Sequence, residues 1–241
     1  MTNVHDAVAL VTGGQRGLGQ ALTTALLKAG AGKVYVTARD PRPDPDPRIV
    51  PVRLEVTDRG SIHELAAQTG DVSILVNNAG GIDRAALIDV SDQGMQHVFD
   101  INVFGLLRVS QEFAPILAAH SGGALVNILS VHSFTAGAGV YGASKAAAWS
   151  ITNSLRGALA EQGTQVLGAN LSYTATDMTR DLDVVKHSPD DIARRIIQAL
   201  QAGAVEVLLD ESSRAFKAAL SGPVQNLQLR LVDGELQPTP A

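Results

Sequence analysis

The chain has 241 residues, no cysteine and a formal net charge of −5, so disulfides, thiolate catalysis and cysteine-ligated metals are excluded. Apolar residues make up 45% and charged residues 18%, which fills a core and rules out a disordered or coiled-coil chain. Mild acidity without a basic cluster argues against a nucleic-acid partner. With no secretory leader and no run of about 18 apolar residues, the expectation is a cytoplasmic chain with no membrane partner.

Apolar, β-rich runs alternate with helical spacing, the pattern of βαβ units on a parallel sheet. Residues 7–12 read as a buried strand ending in a glycine turn, 18–29 as a helix stopped by Gly30, and 33–38 as a second strand. Four prolines within residues 40–47 forbid a helix, so this crossover is a loop leading into a strand over 49–56. A short helix over 61–68 and a strand over 72–76 come next. Ser91 is placed to cap one long helix running to about Ala119. A fifth strand spans 124–129, a second long helix 141–161 and a sixth strand 165–171. A helix over 189–201, a seventh strand over 205–209 and a last helix over 214–220 follow. From Gly222 to the end at 241 the pattern fades and the sequence predicts an irregular tail. Asn170-Leu-Ser172 matches a glycosylation sequon, read as chance because no secretion is expected. The predicted fold is α/β: one Rossmann-type domain, a doubly wound, mostly parallel seven-stranded sheet with helices on both faces.

Between the first strand and first helix, Gly13, Gly17 and Gly19 let the chain turn sharply and approach a ligand closely. The helix N-terminus beyond them offers N–H groups and a partial positive charge to a pyrophosphate. Thr12, Gln15, Arg16 and Leu18 complete this candidate dinucleotide site; the alternative is a glycine turn that serves packing alone. Cofactor choice is read at the end of the second strand. An acid there would bond the ribose 2′-hydroxyl of NAD(H), whereas an arginine accommodates the 2′-phosphate of NADP(H). Ala38 stands where the acid would be, Arg39 follows, and Arg16 adds a second cation. Two guanidinium groups suit a dianion, so NADP(H) is expected, with Asp40 the one feature favouring NAD(H).

Tyr141 and Lys145 are four residues apart and share one face of a helix. A tyrosine of ordinary pKa, about 10, is a poor acid or base at neutral pH. A neighbouring ammonium stabilises the phenolate and brings that pKa toward the working range. Alone, such a pair reads as solvent-facing before it reads as chemistry. Ser130 at the end of a strand changes that, because open α/β sheets bind ligands at this edge and its hydroxyl can bond a carbonyl oxygen.

These residues belong to a set of four ordered motifs that resembles the short-chain dehydrogenase/reductase family and spans positions 12 to 178. The glycine turn matches TGxxxGxG, and Asn77-Asn-Ala-Gly80 matches NNAG. Tyr141 to Lys145 matches YxxxK with Ser130 upstream, and Asn102 sits where the family keeps its catalytic asparagine. The resemblance implies Tyr141 as proton donor in reduction and base in oxidation, with Ser130 polarising the carbonyl. Lys145 would hold the nicotinamide ribose and tune Tyr141, and Asn102 would anchor a relay water near the lysine, the alternative being an amide that distorts or caps the helix. It further implies Asn78, Ala79 and Gly80 beside the cofactor, Glu55 with Val56 at its adenine, and Thr176 at the nicotinamide carboxamide. The substrate would be a small carbonyl compound or alcohol, and the protein a homodimer or homotetramer.

The sequence also departs from the family pattern. Leu171-Ser172 replaces Pro-Gly after the sixth strand, Glu55 replaces the usual aspartate, and only 11 positions separate Ser130 from Tyr141. The glycine-rich C-terminal strand is absent. Six histidines show no ligand spacing, so no metal is expected. His132, two residues past Ser130, is placed to face substrate but reads first as a surface-loop residue, Trp149 reads as packing, and Gly81, Ile82, Phe134 and Tyr173 as pocket walls by position. Residues 179–188, short and charged, suggest an open lid. Two functions compete: an NADP(H)-dependent oxidoreductase, and a non-catalytic NADP(H)-binding sensor or scaffold on the same fold.

Overall fold

A computed structural model describes residues 2–239. Its main sheet contains β1 Val8–Val11, β2 Lys33–Ala38, β3 Ile49–Arg53, β4 Ile74–Asn77, β5 Ala124–Ile128, β6 Gln165–Asn170 and β7 Glu206–Leu208. The spatial order is β3-β2-β1-β4-β5-β6-β7, and all pairings in this sheet are parallel. The order reverses between β1 and β4, which places the switch point, where such sheets bind ligands, beside the glycine turn. The helices are α1 Gly17–Lys28, α2 Arg59–Gln68, α3 Asp92–Phe99, α4 Leu106–Ala119, α5 Gly139–Ala158, α6 Pro189–Gln201 and α7 Glu211–Ala219.

Alternation along the strands builds two cores. Ala9 and Val11 pack with Leu22 and Leu26 of α1 and Ile192 and Ile196 of α6. Leu10, one step out of phase, packs with Ile62 and Leu65 of α2 and with Val109 and Phe113 of α4. Both faces of the strands are therefore covered, which is why they read as near-continuous apolar runs. Residues 39–48 contain neither helix nor strand, as their prolines require. Asn170 in β6 is fully buried, so the sequon cannot be a glycosylation site.

Two elements differ from the sequence expectation. Ser91 does cap a helix, its Oγ accepting from the Gly94 N–H at 3.1 Å. The helix is not continuous to Ala119, however: Asp100–Gly105 form a π turn between α3 and α4. Apolar spacing carries no mark of such an added residue, whereas the buried Asn102 within the turn bonds outward to Gly81 and Ser144. The tail is not irregular either. A 3-10 turn, Val224–Leu227, leads into an antiparallel hairpin of β8 Leu229–Val232 and β9 Glu235–Pro238. Asp233 and Gly234 close it with φ of +51° and +80°, the left-handed pair that a two-residue hairpin turn needs. Residues 240 and 241 of the expected tail lie outside the described residues. The hairpin docks through the buried Leu236, which packs with Val131, Phe134 and Phe216. Main-chain bonds tie the 3-10 turn and the hairpin each to a loop, Ala136 N to Leu227 O at 2.7 Å and Val185 N to Gly234 O at 2.9 Å.

Candidate active site

A cleft of about 1620 Å³ opens along the C-terminal edge of the main sheet. At one end, Gly13 and Gly17 have φ of +64° and +52°, a region that only glycine occupies without strain. A Cβ on Gly19 would lie 2.2 Å from Gly13 O, so the turn and α1 touch backbone to backbone. Arg16 stands at the N-cap of α1 without a side-chain cap bond, and the first turn contains no acid. The helix end thus offers N–H groups to an anion, and this cradle fits a dinucleotide pyrophosphate.

Gln15, Arg16, Leu18, Arg39, Glu55, Val56, Asn78, Ala79, Gly80 and Thr176 line the same cleft. Thr12 stands behind it, fully buried, its Oγ1 accepting from the N–H groups of Asn78 and Ala79 at 2.9 Å each. One threonine therefore fixes the turn after β4 against the turn after β1. The Glu55 carboxylate is engaged by the Thr57 N–H at 3.2 Å and the Thr57 hydroxyl at 2.9 Å.

Arg16 and Arg39 both line the cleft, and the exposed Arg16 guanidinium lies 3.8 Å from Asp177. Arg42, which the sequence reading passed over, lines the cleft as well. Its main chain is bonded twice by Gln15, Arg42 N to Oε1 at 2.9 Å and Nε2 to Arg42 O at 2.5 Å. The proline-rich loop is thereby pinned to the glycine turn.

At the other end, Ser130, Tyr141 and Lys145 line the cleft together. Ser130 lies two residues past β5 and accepts from the His132 N–H at 3.2 Å, which leaves its hydroxyl proton to donate. Lys145 is buried and its Nζ donates to Ile128 O at 3.0 Å, 5.8 Å from the centre of the Tyr141 ring. Burial pulls the Lys145 pKa down to about 8. The expected lowering of the tyrosine pKa is not seen: burial pushes the Tyr141 phenol up to about 12, with the Ser130 hydroxyl offsetting part of that. Desolvation outweighs an ammonium that faces a carbonyl.

Asn102 does not line the cleft. Its Oδ1 accepts from Gly81 N at 2.8 Å, and its Nδ2 donates to Gly81 O and Ser144 Oγ at 2.9 Å each. The amide braces the loop after β4 against α5. His132 is not a surface residue; it is buried and its pKa falls to about 4 through desolvation. Phe134 is no pocket wall, being buried edge-on against Trp149, while Gly81, Ile82 and Tyr173 do line the cleft. The Leu171-Ser172 departure is accommodated: Leu171 O accepts from Val131 N at 2.8 Å, and Ser172 N donates to Asp210 Oδ2 at 2.6 Å. Leu229, from the hairpin, also reaches the cleft, a contact no motif foretells.

A protein-family model described as short chain dehydrogenase matches residues 7–185. An uncharacterized oxidoreductase of Staphylococcus aureus (strain USA300) is 32% identical over 218 residues, spanning 83% of this chain and 93% of its own length. A second, from Staphylococcus saprophyticus, is 31% identical over 220 residues, spanning 83% and 94%. A solved short chain dehydrogenase from Burkholderia cenocepacia J2315, in complex with NADP, superposes with a TM-score of 0.86 at 31% identity, covering 92% of this chain and 96% of that one. The Pseudomonas aeruginosa RhlG/NADP active-site complex has a TM-score of 0.76 at 26% identity, covering 86% and 96%.

Proposed function

Because the chain belongs to the short-chain dehydrogenase family, we propose that it is an NADP(H)-dependent oxidoreductase that interconverts a ketone or aldehyde and its alcohol. The observation that carries this reading is the convergence of the glycine cradle with Ser130, Tyr141 and Lys145 in one cleft. When bound, the nicotinamide supplies or accepts the hydride. The protein supplies everything else. Ser130 directs its remaining proton at the carbonyl oxygen. Tyr141, protonated at neutral pH, gives its proton to that oxygen as the alcohol forms and takes one back in oxidation. Lys145, poised near pH 8 and buried beside Ile128, would hold the nicotinamide ribose. Asn102 holds the Gly81 loop in place, and Thr176 would hold the carboxamide.

NADP(H) over NAD(H) is supported by Arg39 and Arg42 at the adenosine end, neither with an ion-pair partner among the described residues. The exposed apolar side chains Leu87, Ile88, Met95 and Phe104 around α3 and the π turn suit a second copy of the chain, in line with a homo-oligomer working in the cytoplasm.

NADPH absorbance, followed with a panel of ketones, aldehydes and quinones for wild type and Tyr141→Phe, tests the reading. Oxidation by wild type that falls by about 10²–10⁴-fold in the variant is the expected result. Equal rates in the two proteins would remove Tyr141 as the acid. Tight NADPH binding with no turnover of any carbonyl would return the sensor reading.

A further inference from the structure

The cleft wall beside Tyr141 is made of three rings. His132 stands edge-on to Tyr141, with centroids 6.0 Å apart, and edge-on to Tyr173, with centroids 5.9 Å apart. Two hydrogen bonds fix it: its N–H to Ser130 Oγ at 3.2 Å, and Nδ1 with Thr135 Oγ1 at 3.1 Å. The other ring nitrogen is different. Among the described residues Nε2 has no protein partner, and the fully buried polar atoms left without one belong to Asn170, Thr174 and Ser213. Nε2 therefore meets the solvent of the cleft that His132 lines.

Desolvation keeps this imidazole neutral through the neutral range. A neutral imidazole carries one donor and one acceptor nitrogen. The threonine hydroxyl can serve either role toward Nδ1, so Nε2 is able to accept from a hydroxyl or donate to a carbonyl. It stands on the same short turn as Ser130, two residues away. Both side chains leave that turn into the one cleft, an arrangement that suits two substrate oxygens on neighbouring carbons. Ile82, Met178, Leu182 and Leu229 also line the cleft and suit an apolar remainder.

We propose that His132 is a specificity-determining residue whose Nε2 bonds a second substrate oxygen on the carbon next to the reacting carbonyl. The substrates are then 2-hydroxy ketones, 2-hydroxy aldehydes and 1,2-dicarbonyl compounds. The inference rests on the oxidoreductase reading above. The chemistry balances as in any carbonyl reduction: a hydride joins the carbonyl carbon, the Tyr141 proton joins its oxygen, and oxidised cofactor leaves with a diol or hydroxy-carbonyl product.

The test compares 3-hydroxybutan-2-one with butan-2-one, for wild type, His132→Ala and His132→Gln. Rates are measured with NADPH, and binding of both ketones is measured by calorimetry to the NADP⁺ complex, where no hydride can transfer. Wild type is expected to favour the hydroxy ketone by about tenfold or more in kcat/KM and in affinity. His132→Ala should shrink that ratio to about one, and His132→Gln, which keeps a hydrogen-bonding end, should restore part of it. The ratio is insensitive to how much enzyme is folded. An equal loss for both ketones in His132→Ala, or no preference in wild type, overturns the proposal. A binding preference without turnover of either ketone upholds the His132 assignment and removes the oxidoreductase reading instead.

Discussion

Lys145 carries a charge into a place where only 7% of its surface meets solvent. Its pKa drops from 10.5 to about 8 in the fold, so the protonated form opposes folding. That cost is fully present below about pH 8, where lysine is charged in both states, and is relieved as pH rises toward the unfolded value. The shift corresponds to on the order of 3 kcal/mol, and the bond to Ile128 returns about 1–2 kcal/mol of it. Lys145→Met is therefore expected to lose activity yet, without cofactor, melt about 2–4 °C higher than wild type at pH 7. A lower Tm in calorimetry would contradict this account. Tyr141, raised to about 12, has the opposite consequence for rate. The proton needed for reduction is always present near neutrality, whereas the phenolate needed for oxidation is scarce. Initial rates of alcohol oxidation are expected to climb by up to about tenfold per pH unit between pH 7 and 9, while reduction changes little from pH 6 to 7.5.

At the scale of elements, the glycine turn has the least latitude. With Gly13 O 2.2 Å from where a Cβ on Gly19 would sit, Gly19→Ala must push α1 away from the turn. Fluorescence titration should show NADPH affinity falling by about 100-fold or more, since the pyrophosphate cradle is made of that backbone. This element was legible because chemistry and local conformation demand the same residues. So was the helix cap at Ser91, and so were Ser130, Tyr141 and Lys145, whose spacing places them on the sheet edge and one helix face. The π turn was not legible, because one added residue leaves the apolar spacing of Val98, Val103, Leu106 and Val109 readable as a single helix. Asp233-Gly234 is a strong hairpin signal, yet the flanking residues lack clear alternation, with Leu231 exposed and Leu236 buried, so 222–239 read as unpatterned. Arg42 was missed for another reason. Its place depends on Gln15, a neighbour distant in sequence whose side chain bonds its main chain.

For the molecule as a whole, binding of a ligand to the folded state alone raises stability by mass action, by about 2.7 kcal/mol at a hundred times Kd. NADPH is expected to raise Tm by about 5–10 °C at such saturation, and NADH by clearly less at equal concentration. Arg39→Ala should bring the two shifts together; an unchanged NADPH shift in that variant would place the 2′-phosphate elsewhere. The parallel seven-stranded sheet with helices on both faces follows from the alternation of β-rich and helical runs, and this part of the architecture was readable from the chain alone. The docking of the C-terminal hairpin onto loops at 136 and 185 was not, because it is a contact between segments that share no motif.

The π turn at Asp100–Gly105 also bears on how the gene can change. A π turn is an α-helix carrying one surplus residue, so α3 and α4 are out of phase by about 100° of rotation. Removing a single codon there would leave two intact helices and heal the break between them. It would also swing Asn102 off Gly81 and Ser144, detaching the loop from the helix that carries Tyr141. The reading frame thus holds a one-residue insertion that cannot be tidied away without loosening the cleft.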